Sequence, residues 1–140
     1  MVESNKTYKI VSAKTGTVLD LSISDDNKSL IGDDWQGSEK QKWHLVQEDE
    51  AWIIKNVSTG RYLGIEGVAA NNLSVVATYK RFRWDIWPDE DDSSTYRLFV
   101  PNTHFNVDLF GGNAAPGTRV IVWEMWHPGQ NQTWRFEPEA

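Results

Sequence analysis

Apolar and polar residues alternate along this chain in short bursts, and the bursts recur. Tyr8, Trp52 and Tyr96 stand 44 residues apart, and each opens a strand-like segment: YKIVSA, WIIKNV and YRLFVP. Apolar positions at a period near two predict strands with one buried face. Twelve positions further on come Asp20, Gly64 and Asp108, each preceded by an aliphatic residue: Leu19, Leu63 or Val107. β-Branched stretches follow at 29–31, 73–77 and 119–123. Each unit then closes on a Trp with a polar-apolar tail: Trp43 in WHL, Trp84 in WDI and Trp134 in WRF. The closing segments are less regular, with Trp-to-Trp steps of 41 and 50 residues. Turn pairs such as Thr15-Gly16, Thr59-Gly60, Gly111-Gly112 and Pro116-Gly117 separate the bursts. No stretch sustains a helical period over ten residues.

Three units of about four strands each, near 7–47, 51–90 and 95–138, predict one all-β domain across residues 1–140. The expected form is a closed threefold arrangement, because closure leaves few exposed strand edges. A chain of 140 residues suffices for one core of its own.

Composition narrows the function. The net charge is −6, and the one basic cluster (Lys80, Arg81, Arg83) is followed by the acidic run Asp89 to Asp92. A nucleic-acid partner needs clustered cations, so none is expected. The chain has no Cys, which excludes disulfides and thiolate chemistry. It shows no apolar run of signal or membrane-span length, so a cytoplasmic protein without membrane insertion is expected. His44 lies in the first unit and His104 and His127 in the third, without zinc spacing, and neither DEDD (89–92) nor DDNKSLIG (25–32) fits a calcium loop. DEDD reads as a solvated charge run. No cofactor, metal or catalytic pair is expected. Eight Trp is the outlying figure. Trp serves both cores and ligand faces, and the pattern has to separate the two uses.

Gln-x-Trp occurs twice, as Gln41-Lys42-Trp43 and Gln132-Thr133-Trp134, in units that also carry the registered Asp. The order aromatic strand, Leu/Val-Asp, β-branched strand, Gln-x-Trp resembles the ricin-B-type lectins over nearly the whole chain, Tyr8 to Phe136. The single-domain mushroom members are the most similar in kind. The resemblance implies a β-trefoil whose repeats are named α, β and γ. It implies a non-catalytic lectin for glycans ending in β-galactose, such as lactose or N-acetyllactosamine, with a defensive role. A symmetric homodimer is the expected route to multivalence.

Trp43, Trp84 and Trp134 are expected in the core, with Gln41 and Gln132 tying loop backbone through their amides. Sugar recognition needs an aromatic face, a carboxylate accepting from hydroxyls and a third polar group. In the family these come from the Asp after the first strand, an aromatic before the closing motif and the residue before the Gln. The resemblance therefore assigns Asp20, Trp35 and Lys40 to the preferred α site. It assigns Asp108, Asn131 and Trp123 or Trp126 to a second site in γ. Lys40 departs from the family's Asn, since an ammonium can donate but not accept. The β repeat has Gly64 and Phe82 at the Asp and Gln positions and reads as structural. The other reading of the same fold, a protease inhibitor acting through protruding loops, needs none of these registered residues.

Overall fold

A computed structural model describes residues 1–140. The α repeat holds β1 (Lys6–Ser12), β2 (Val18–Leu21), β3 (Leu30–Asp33) and β4 (Trp43–Glu48). The β repeat holds β5 (Ala51–Asn56), β6 (Tyr62–Gly64), β7 (Leu73–Ser74), β8 (Val76–Thr78) and β9 (Asp85–Pro88). The γ repeat holds β10 (Tyr96–Phe99), β11 (Phe105–Leu109), β12 (Thr118–Glu124) and β13 (Trp134–Glu139).

The first and last strands of the three repeats form one ring. β4 pairs with β1 and β5, β10 with β9 and β13, and β13 returns to β1. The remaining seam, between β5 and β9, is joined by reciprocal bonds of Trp52 and Trp84: 2.8 Å from Trp52 N and 2.9 Å from Trp84 N. Six strands thus close a barrel. The inner strands make hairpins, β2 with β3, β6 with β8 and β11 with β12. The hairpins join one another through β3–β12, β7–β12 and the Ser29–Val76 bridge. This is a β-trefoil, the closed threefold form that the family resemblance implies.

The three closing Trp are fully buried. Each indole N–H donates to the carbonyl one residue before the Asp/Gly position: Trp43 to Leu19 at 3.2 Å, Trp84 to Leu63 at 2.9 Å, Trp134 to Val107 at 3.1 Å. The ring fills the core while its one polar atom is satisfied. Barrel and hairpin layers are therefore locked together at the residue preceding each candidate carboxylate. Edge-on contacts of Phe136 with Tyr8 and Tyr96, at 5.8 and 5.6 Å between ring centroids, continue the core.

Candidate functional site

Asp20 lies on β2 opposite Ile31, and Asp108 lies on β11 opposite Ile121, so the two carboxylates hold the same place in their hairpins. Each is met by a Gln from a single 3-10 turn. Glu39–Gln41 is capped by the Ser38 hydroxyl accepting from Lys40 N, while Gln130–Gln132 starts from Gly129 at φ 55°. Gln41 Nε2 donates to Asp20 Oδ2 at 3.0 Å and to the Asp34 carbonyl at 2.8 Å, and its Oε1 accepts from Gln36 N at 2.8 Å. Gln132 Nε2 donates to Asp108 Oδ2 and to the Glu124 carbonyl, both at 3.0 Å, and its Oε1 accepts from Trp126 N at 3.2 Å. Both amides tie loop backbone, as the pattern implies. They do more, because each also clamps the carboxylate.

The clamp sets a correspondence that the sequence spacing hides. Asp34 matches Glu124, and Gln36 matches Trp126. The hairpin register pairs Val18 with Asp33 and Asn106 with Trp123, so Asp33 matches Trp123. Trp35 then falls opposite Met125, not opposite either γ aromatic. It is half-buried, with the Lys9 ammonium 4.7 Å from its ring centroid.

The surroundings differ more than the clamps. In γ, Asn131 Nδ2 donates to Asp108 Oδ1 at 2.8 Å, so amides hold both carboxylate oxygens. Asp108 is only 4% exposed, yet it lines a depression of about 250 Å³ with Phe110, Gly111, Ile121, Trp123, Trp126 and Asn131. Trp123 and Trp126 are 37% and 45% exposed there. In α, Asp20 Oδ1 accepts from Leu21 N at 2.7 Å instead, and the position before the Gln is Lys40. Burial pushes both carboxyls above the ordinary aspartate value, against the lowering effect of these hydrogen bonds. The neighbouring Asp33 adds to the rise at Asp20, and Lys40 opposes it.

The β repeat has no clamp. A Cβ on Gly64 would lie 2.9 Å from Phe82 Cβ, so the Phe82 ring takes up the space that carboxylate and amide share elsewhere.

A sequence model described as ricin-type beta-trefoil lectin domain-like matches residues 1–79 and 39–123. The chain belongs to the ricin-type β-trefoil lectin family. Among solved structures, it is 43% identical to the Macrolepiota procera ricin B-like lectin in complex with lactose, with a TM-score of 0.95 and 99% of both chains covered. It is 26% identical to the Rhizoctonia solani agglutinin, with a TM-score of 0.88 and 99% of both chains covered. Among curated proteins, it is 27% identical to an exo-beta-1,6-galactobiohydrolase of Bifidobacterium longum subsp. longum. That match covers 95% of this chain, which spans 10% of the length of the enzyme.

Within this lectin Arg97 and Asp89 form a buried pair that the sequence pattern does not show. DEDD reads as a solvated run, but Asp89 is buried and its Oδ1 accepts from Arg97 Nε at 2.9 Å. Burial acts to raise its pKa, yet the Arg97 hydrogen bond and charge, with the Asp91 and Asp92 amides, hold it below the ordinary value. A faint signal existed. Arg97 follows its opening aromatic where the β repeat has Ile53, an inward position.

Proposed function

We propose that this protein is a non-catalytic lectin for glycans ending in β-galactose, with lactose and N-acetyllactosamine as the simplest ligands. The observation that carries the reading is the clamped carboxylate of Asp108 at a depression walled by Trp123 and Trp126. An exposed indole face suits the C–H side of a pyranose. A carboxylate holding two amide donors still has lone pairs for two sugar hydroxyls. Asn131 Oδ1 adds a further acceptor beside it. Gln132 makes its bonds within the protein, so its part is to aim Asp108. Similarity to a lectin solved with lactose supports the galactose end in particular.

Asp20, Trp35 and Lys40 form the α counterpart in this proposal. There Lys40 donates to a hydroxyl where γ offers an amide. Two sites per chain, or a symmetric homodimer, would convert weak single-sugar contacts into avidity for cell surfaces. The galactobiohydrolase match covers a tenth of that enzyme, and the reading for this chain is binding without hydrolysis.

Calorimetric titration with lactose, N-acetyllactosamine and mannose, with and without chelator, tests the proposal. Saturable lactose binding that is insensitive to chelator is expected. A preference for mannose, or loss of binding in chelator, would overturn it.

A further inference from the structure

Arg97 is 2% exposed, and its guanidinium spends every N–H inside the protein. Nε donates to Asp89 Oδ1 at 2.9 Å. Nη1 donates to Asn106 Oδ1 at 3.0 Å and to Gln132 Oε1 at 2.8 Å. Nη2 donates to the carbonyls of Trp126 at 3.2 Å and Pro128 at 3.0 Å. A guanidinium has five donors in one plane, and here all five are used.

Three of those bonds reach the γ depression from behind. The bond to Gln132 Oε1 adds to that from Trp126 N in holding which way that amide faces. With the oxygen turned to the guanidinium, the NH2 group is left for Asp108. The bonds to Trp126 and Pro128 hold the loop that presents the Trp126 indole. Gly129 completes the arrangement, because a Cβ there would press on the Trp126 carbonyl and lie 3.2 Å from both Arg97 Nη2 and Gln132 Oε1.

The repeats supply a comparison. The residue after the opening aromatic is Lys9 in α, Ile53 in β and Arg97 in γ. A cation stands in the two repeats that keep the Asp and Gln, and an aliphatic residue stands in the one that has lost both. Lys9 contacts Trp35, while Arg97 reaches Trp126 through its carbonyl.

We propose that Arg97 is the positioning residue of the γ sugar site, fixing Gln132 and Asp108 and holding the Trp126 loop in place. The inference rests on the γ reading above and extends it to a residue behind the ligand surface. The Arg97 charge also favours the ionised form of Asp108 against its burial.

Site-resolved lactose titration by NMR tests this, with the Trp123 and Trp126 indole signals reporting γ and Trp35 reporting α. Arg97→Lys leaves three donors, too few for the loop carbonyls, Gln132, Asn106 and Asp89 together. The γ dissociation constant should rise about tenfold or more while α changes less than about twofold. Asp89→Asn keeps the guanidinium and removes its anionic partner, so a smaller loss at γ alone is expected. It carries the test if Arg97→Lys does not fold. An unchanged γ constant in the folded variant, or equal weakening at both sites, would overturn the role even where thermal stability falls. If γ signals respond to lactose and to Asp108→Ala but not to these variants, the positioning role alone fails. If they never respond to lactose, the γ reading and this inference fail together.

Discussion

The α and γ repeats carry the same Asp–Gln clamp on the same hairpin frame, and they differ in nearly everything around it. In γ the carboxylate is held by two amides, faces two half-exposed indoles and is backed by a buried guanidinium. In α the corresponding neighbours are Lys40, Asp33 and Lys9, and the aromatic ring comes from a position that γ fills with Met125. The clamp is therefore inherited from the repeat, whereas the recognition surface is built by each repeat separately. The β repeat shows the limit of this freedom, keeping the closing Trp and filling the clamp with Phe82.

The largest expected effect separates scaffold from site. Trp43→Ala, or the same change at Trp84 or Trp134, should cost about 3–5 kcal/mol of stability through lost burial and a residual cavity. Denaturant unfolding measures it, and a cost below about 1 kcal/mol would deny these rings a core role.

Next come the carboxylates. Asp108→Ala should leave the chain folded, at a cost of about 1–3 kcal/mol for the amide donors it orphans, and weaken γ binding by about 1.5–3 kcal/mol, roughly ten- to 150-fold. Asp20→Ala should do the same at α. Site-resolved titration ranks the two, and loss at α alone would place α above the better-walled γ depression. The same carboxylates set the pH response. Their pKa values are raised, so lactose affinity should fall on acidification earlier than an ordinary aspartate would dictate. For folding, a raised acid lowers stability as pH climbs from its unfolded to its folded pKa. Asp89 acts the other way, contributing stability above its unfolded pKa that is lost as pH falls through its depressed folded value.

Gly64→Asp probes the β repeat. Overpacking against Phe82 should cost about 1–3 kcal/mol, and adding Phe82→Gln should restore part of it. Additive losses in the double variant would mean that the clamp space is not shared. The smallest effect sharpens the α–γ contrast directly. Lys40→Asn places the γ amide in α and should strengthen α binding by about 0.5–1.5 kcal/mol. Unchanged affinity there would show that Lys40 is not what separates the two sites.

Much of this was legible in the residues themselves. The spacing of Tyr8, Trp52 and Tyr96, the Asp/Gly register and the two Gln-x-Trp motifs determined the three all-β repeats and the buried Trp, and carried the resemblance that implies the β-trefoil. Backbone periodicity and burial act over a few residues and leave a period in the chain. The clamp and its surroundings were decided by tertiary structure. Gln41 meets Asp20 from 21 residues away, and Arg97 meets Gln132 from 35. Asp89 looked solvated inside an acidic run until the fold set Arg97 against it. The α and γ aromatics looked interchangeable until hairpin register put Trp123 opposite Asn106, and Asp33 in the matching place. Side-chain contacts between distant strands depend on register and burial together. Such pairings across distant strands leave no period in the chain, so only the folded molecule could settle them.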